Sequence, residues 1–252
     1  MLLFPLLLAA RAEAARRQLI VATSEPAPYV LEPYLRVSLC VPAMNEAKYI
    51  GVLLQSARNQ TYPFHDIAVA DSSYGDDTAV VAQSWGARVV RAAPGNISSA
   101  RNLACGATTG EVVVFSDADV LLHPQFVELC LGKLQQPNVA LVHPKEVIYD
   151  SVPWNMALFF PAVMRSRWNT TRCVMVWRTV CSEVGGYDPG CNPISGRCRE
   201  DLDFGRRVGA VYGAGSIKVA PFLIGTSGRR YKQQGLRGWE KFAEPARSRV
   251  RY

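Results

Sequence analysis

Two aspartates one residue apart, Asp117 and Asp119, follow the β-branched run Glu111–Phe115 (EVVVF). Carboxylates held that close repel each other. A divalent cation would relieve the repulsion and leave coordination positions for diphosphate oxygens, as Mg2+ prefers. A pair of loop-capping aspartates is the simpler alternative. Two more acid-bearing segments stand upstream: Val41-Pro-Ala-Met-Asn-Glu46 and Asp71-Ser-Ser-Tyr-Gly-Asp-Asp77. Downstream, Arg229 and Arg230 follow a strand-like Val219–Ile224. A guanidinium fork suits phosphate oxygens, although the same pair also opens a basic tail.

These clusters need elements to bring them together. Arg36–Val41 reads as a buried strand, and Asn45 to Gln60 has helical spacing with Ile50, Leu53, Leu54 and Ala57 on one face. Strands are expected at Asp66–Ala70, Arg88–Arg91 and Glu111–Phe115. Helices are expected from Asp77 or Thr78 to Trp85, from Ser98 or Ser99 to Ala107, and after Pro124. The fourth strand lacks alternation and should be central. This βαβαβαβ rhythm predicts an α/β fold, a mostly parallel sheet with helices on both faces. Beyond Val139 the expectations are a strand over 140–148, an apolar helix over 154–164, a strand over 174–177 and a helix over 199–211. Open parallel sheets bind ligands beyond the carboxyl ends of their strands. The three acid-bearing loops all fall at such ends.

The chain has 252 residues, 49% of them hydrophobic and 19% charged, which suits one sizeable core without long disordered tracts. Prolines between Glu25 and Pro33 read as an extended linker, so the division is 1–34 (an apolar, amphipathic segment and linker, with a short helical appendage), 35–231 (the α/β domain) and 232–252 (a basic tail). The net charge is +7, and residues 229–252 hold eight Lys/Arg against two acids. That tail is either a solvated surface or a contact for anionic lipid or phosphate, and no zinc-finger or RNP-type motif points to nucleic acid. The apolar start, Met1–Ala10, is short of the roughly 20 residues that span a bilayer. An interfacial helix is expected there, with a cytoplasmic protein in peripheral contact with a membrane. Seven cysteines without a CxxC pair indicate neither a zinc site nor a disulfide framework; Cys191 and Cys198 bracket a loop and could pair.

Taken in order, the motifs resemble family 2 glycosyltransferases of the GT-A fold. They are Pro42-x-x-Asn-Glu46, Asp71-Ser-Ser with Asp77-Thr78, Ser99-Ala-Arg-Asn102, Asp117-Ala-Asp119, Gly185-Gly-Tyr-Asp188, Glu200-Asp-Leu-Asp203-Phe-Gly-Arg-Arg207 and Thr226-Ser-Gly-Arg-Arg230. The resemblance implies a nucleotide-diphospho-sugar donor, UDP- or GDP-linked, and Mn2+ or Mg2+ as cofactor. Pro42, Ala43, Asn45, Glu46 and Asp71 would line the nucleoside pocket. Arg101, Arg229 and Arg230 would hold the diphosphate. Asp117 and Ala118 would face the ribose, with Asp119 and Asp117 on the metal. Gly185, Gly186, Tyr187 and Asp188 would shape the sugar and acceptor side. Asp201, with Glu200 beside it, would be the general base, because an acceptor hydroxyl is a poor nucleophile at neutral pH. Acids also favour a helix N-terminus, so the pair has a structural use as well. Asp203 and Arg206 are expected to form a local helix pair. The second loop reads Asp-Ser-Ser rather than the commoner DDGS type, which leaves the base open. The acceptor is unspecified: a glycan, a lipid or a small molecule. Two alternatives stand beside this. VVVFSDADVLL resembles the first motif of haloacid-dehalogenase phosphatases, with Asp117 as nucleophile. A non-catalytic nucleotide-sugar binder would keep the same pocket.

Overall fold

The computed structural model of the chain describes residues 34–149, 172–191 and 199–229. Its first half alternates strand and helix: β1 (Val37–Ala43), α1 (Ile50–Arg58), β2 (Asp66–Asp71), α2 (Thr78–Ser84), β3 (Arg88–Arg91), α3 (Ile97–Gly106) and β4 (Val112–Ser116). Then come β5 (Val120–Leu122), α4 (Phe126–Leu134), β6 (Leu141–Ile148), β7 (Cys173–Trp177), α5 (Arg178–Glu183), α6 (Glu200–Tyr212) and β8 (Ile217–Thr226). The expected helix over 154–164, the N-terminal segment and appendage, the basic tail, Arg230 and Cys198 lie outside the described residues.

The strands form one sheet in the order β3-β2-β1-β4-β7-β6-β8-β5. The β3-β2-β1-β4 half is parallel throughout. Beyond β4 the sheet is mixed: β7 runs antiparallel to β4 and to β6, β8 runs parallel to β6, and β5 closes the edge antiparallel to β8. The structure is therefore mixed α/β, with its parallel half where the strand–helix alternation predicts it.

Every residue of β1 and of β4 is buried, which their near-continuous apolar sequences require of strands covered on both faces. One face of the sheet packs Leu39 and Val41 against Leu53 and Leu54 of α1 and Val127 and Leu131 of α4. The other packs Cys40 and Phe115 against Ala100 and Ala104 of α3, Cys181 of α5, and Phe204 and Val208 of α6.

Two helix starts differ from the sequence expectation and two short elements were not expected, each for a local reason. The first helix begins at Ile50, not near Asn45. Side chains from the facing loop take the N–H groups of residues 45–47, and Asn45 sits at φ 57. The third helix begins at Ile97, because Asn96 caps it by accepting from the Ser99 N–H at 3.0 Å. The strand β5 and the helix α5 have only three and six residues, too few to show a period.

Candidate active site

The loop after β1 and the loop after β2 are tied together. The Ser73 hydroxyl accepts from the Asn45 N–H at 2.7 Å, Thr78 Oγ1 from the Glu46 N–H at 2.7 Å, and Asp76 from the Ala47 N–H at 3.1 Å. In return, Asn45 Oδ1 accepts from the Tyr74 N–H at 3.2 Å, and the Ala43 carbonyl accepts from Ser72. Asp76 resists the desolvation that would raise its pKa. Hydrogen bonds from Thr78 and Ala47 win and hold it below the ordinary carboxylate value. Parallel pairing sets Pro42 beside Ala70 and Ala43 beside Asp71. Asp71 is buried, and its two oxygens accept from the Ser73 N–H (3.0 Å) and from Arg91 (3.1 Å). Pro42, Ala43, Asn45, Glu46 and Asp71 thus share one rim of the sheet.

The Asp117-Ala-Asp119 turn follows β4 directly, and three arginines from distant segments converge on it. Arg101, on α3, contacts Asp117 at 2.8 Å and Glu200 at 3.5 Å. Arg172 lies just ahead of β7; its carbonyl accepts from the Asp117 N–H, because β7 pairs antiparallel with β4. Its guanidinium stands 3.9 Å from Asp117, 3.8 Å from Asp119 and 3.3 Å from Glu146 of β6. Arg229 comes from the end of β8. The pairing of Val120 with Thr226 and a bond from the Ser227 N–H to the Asp119 carbonyl place it there. It reaches Asp119 at 3.3 Å, grips Glu46 with both terminal nitrogens, and lies 4.5 Å over the Tyr49 ring. Burial works against the charge of Arg229, but Glu46 and Asp119 more than offset it and raise its pKa. One arginine therefore joins the β1 loop to the Asp117–Asp119 turn.

The acid pair Glu200 and Asp201 occupies the first turn of α6, where the helix dipole favours negative charge. Both are buried. Asp201 accepts from Arg199 at 2.8 Å. Desolvation raises the pKa of Glu200, more than the nearby Arg101 lowers it. Through Arg101 this pair stands one side chain away from Asp117.

The Gly185–Asp188 turn is latched to α3. Asn102 Oδ1 accepts from the Tyr187 N–H at 2.9 Å, and Asn102 Nδ2 donates to the Tyr187 carbonyl at 2.7 Å. Gly185 and Gly186 take φ 76 and 67, and a Cβ on Gly186 would stand 2.7 Å from Asn102 Oδ1. The Tyr187 ring is buried, stacked 4.4 Å from Phe204, with the Arg101 guanidinium 4.8 Å from its centroid. The turn thus acts as the floor that holds Arg101 up. Asp188 points back onto its own turn, accepting from the Gly190 N–H, and Cys191, one end of the pairing considered from sequence, is disulfide-bonded.

Two carboxylates suit a Mg2+ or Mn2+ that is completed by substrate phosphates and water, and Asp117 and Asp119 offer that set. Among the described residues no group of three or more His, Cys, Asp or Glu is arranged to hold a metal without such help. A metal held by these two carboxylates would need its remaining ligands from substrate or water.

The family model "Glycosyl transferase family 2" matches residues 38–195. The chain belongs to glycosyl transferase family 2. Within family 2 it is 32% identical over 132 residues to the glucosyl-3-phosphoglycerate synthase of Petrotoga mobilis, covering 46% of this chain and 39% of that protein. It is 33% identical over 105 residues to the chondroitin synthase of Escherichia coli, covering 40% of this chain and 15% of that protein. The chain thus spans under half the length of these curated relatives. The glucosyl-3-phosphoglycerate synthase of Mycobacterium tuberculosis, solved with Mn2+, UDP and glucosyl-3-phosphoglycerate, superposes with a TM-score of 0.59 at 22% identity, covering 91% of this chain and 80% of that one. The fold is GT-A. Family membership removes the support for a haloacid-dehalogenase phosphatase, whose nucleophile strand would open its domain; here β4 is the fourth strand of the sheet.

Arg172, Glu146 and Arg199 escaped the sequence reading. Arg172 stands in a stretch without periodicity, and Arg199 read only as the start of the helix expected over 199–211. Glu146 did carry a signal, as a lone acid inside an expected strand of otherwise largely apolar residues, where a buried charge needs a partner. The helix pair on α6 is Asp203 with Arg207, at 2.8 Å and i,i+4 spacing, in place of the expected Arg206. Among the described residues no helix is long and apolar enough to cross a membrane.

Proposed function

We propose that the chain is a glycosyltransferase that moves a sugar from a UDP- or GDP-sugar to an acceptor hydroxyl, with inversion at the transferred carbon. The observation that carries this is the Arg101 bridge, which contacts Asp117 at 2.8 Å and Glu200 at 3.5 Å. It sets a buried acid pair at a helix N-terminus beside the half-buried Asp117 and the buried Asp119 at the end of a central strand. Pro42, Ala43, Asn45, Glu46 and Asp71 receive the nucleoside, with Asp71 accepting from the base. Ala118 adjoins the ribose. Arg101, Arg229 and Arg230 hold the diphosphate. A divalent ion on Asp117 and Asp119 would neutralise the leaving diphosphate. Asp201, oriented by Arg199, takes the acceptor proton, with Glu200 beside it. Gly185, Gly186, Tyr187 and Asp188 shape the sugar side, mainly by fixing Arg101.

The Mn2+ and UDP in the Mycobacterium tuberculosis relative support the metal and the donor class. The acceptor is a glycan, a lipid or a small molecule, and contact with a membrane surface through the N-terminal segment belongs to the same proposal. Thermal unfolding with a panel of nucleotide sugars, with and without Mn2+, tests the reading. A binder at 100 times its dissociation constant stabilises the native state by about 2.7 kcal/mol. One nucleotide class should stabilise more with Mn2+ than without it, and hydrolysis of the donor to free nucleotide should accompany incubation. Equal stabilisation by all nucleotides, or none, would reject the donor site. Binding without any nucleotide release over an acceptor panel would favour the non-catalytic binder.

A further inference from the structure

On the face of the sheet behind this site, Cys40, Cys105 and Cys181 come together from β1, α3 and α5, and all are free thiols. Arg178, the first residue of α5, reaches into the group. It donates to the Gly110 carbonyl at 2.5 Å, the Cys105 carbonyl at 3.2 Å, Thr108 Oγ1 at 3.0 Å and Cys105 Sγ at 3.5 Å. Among the described residues no carboxylate lies within ion-pair distance of Arg178, in contrast to the arginines of the donor site. A half-buried guanidinium without a carboxylate favours an anion at the one neighbour able to become one, the Cys105 sulfur.

The three thiols are not equivalent. Hydrogen bonds from Cys181 and Cys40, and the charge of Arg178, lower the Cys105 pKa against desolvation. Cys40 and Cys181 are pushed the other way, Cys40 by burial and Cys181 first by its bond to Cys105. Cys105 is also the one of the three with solvent contact, whereas Cys40 and Cys181 are buried. Reactive cysteines combine these features: thiolate character, partial exposure and a second thiol at hand.

We propose that Cys105 is a redox-reactive thiolate that forms a reversible disulfide with Cys181. The Cys105 thiolate attacks one oxygen of a peroxide; the O–O bond breaks, and the leaving hydroxide takes a proton as water. Cys105 is left as the sulfenic acid, oxidised by two electrons. The Cys181 sulfur then attacks the Cys105 sulfur, the S–O bond breaks, and the departing hydroxide carries away the Cys181 proton as a second water. Cys181 is the partner in preference to Cys40. Cys40 is fixed in β1, between two paired strands, and bonded to Thr108 at 3.5 Å. Cys181 rides on a six-residue helix that ends in the Gly185–Gly186 turn.

The test uses the full chain and does not depend on transferase activity. Without oxidant, brief iodoacetamide treatment followed by peptide mass spectrometry should label Cys105 first among the free cysteines, about ten-fold faster than in the urea-unfolded chain. Arg178→Met should remove that advantage, and Arg178→Lys should keep part of it. With about one equivalent of hydrogen peroxide, digestion without reductant should give a Cys105–Cys181 peptide pair that dithiothreitol separates. In Cys181→Ala, dimedone should instead trap Cys105 as its sulfenic adduct. Labelling no faster than in the unfolded chain overturns the proposal. So does a Cys105–Cys40 pair, or the lack of both cross-link and dimedone adduct.

Discussion

At the residue scale, the site is a set of buried charges that balance one another, so removal of one shows in its partners. Asp119 is 2% exposed and faces Arg172 and Arg229. Asp119→Ala should abolish the Mn2+-dependent part of donor binding, as isothermal titration with and without Mn2+ would read. Asp201→Asn should leave donor binding within about two-fold and remove turnover, because a carboxamide cannot accept the acceptor proton. Retained transfer in Asp201→Asn would reject the base assignment. Glu200 gives a pH signature. Desolvation raises its folded-state pKa above the ordinary Glu value. The native state then holds a proton that the unfolded chain has released, so this carboxyl lowers stability as pH rises from the ordinary value through the raised one. Below the ordinary value both states are protonated and the effect vanishes. Glu200→Gln should flatten that part of the stability–pH curve, as urea unfolding at several pH values would show. An unchanged slope would mean that the carboxyl is ionised in the folded state at its ordinary pKa.

At the element scale, the turn after α5 positions α3. Gly186 has φ 67, and the Cβ of Gly186→Ala would stand 2.7 Å from Asn102 Oδ1. That substitution should cost about 1–3 kcal/mol from the strained backbone and the lost Asn102–Tyr187 bonds. It should also raise the KM for donor by tilting Arg101, with little change in kcat; an equal loss in both would place the turn in the chemistry itself. This dependence was not legible in the sequence. Gly185-Gly-Tyr-Asp188 read as a wall of the sugar site, since spacing alone cannot say that Tyr187 turns inward to stack on Phe204. The parallel half was legible because its strands are apolar and its helices long enough to show a period. In the mixed half the strands over 140–148 and 174–177 and the helix over 199–211 were legible as well; β5 and α5 were not, being too short to show a period, and neither was Arg172, which acts through a pairing between strands 57 residues apart in register, Ser116 with Cys173. The acids of the site announced themselves as motifs. Of the arginines that neutralise them, Arg101 and Arg229 sat within motifs and Arg172 did not.

At the scale of the whole molecule, the candidate site lies where the two halves of the sheet meet. Asp117 leaves β4, the last strand of the all-parallel stretch, and Arg172 enters β7, which runs antiparallel to it. On one side β1 and β4 are buried at every position and covered by helices on both faces, whereas β3 at the edge has no fully buried residue. Opening the centre exposes both core layers at once and so approaches global unfolding, while an edge strand can open alone. Native-state hydrogen exchange should therefore find the β1 and β4 amides slowest, at the global stability, and the β3 amides faster by orders of magnitude. The β5–β8 edge carries the informative difference. Its opening would carry Arg229 away from Asp119, so a ligand that binds both should slow exchange there selectively. A UDP- or GDP-sugar with Mn2+ should thus protect Val120–Leu122 and the end of β8 while leaving β3 unchanged. Uniform protection across the sheet would mean that the ligand stabilises the fold as a whole and does not hold this edge closed.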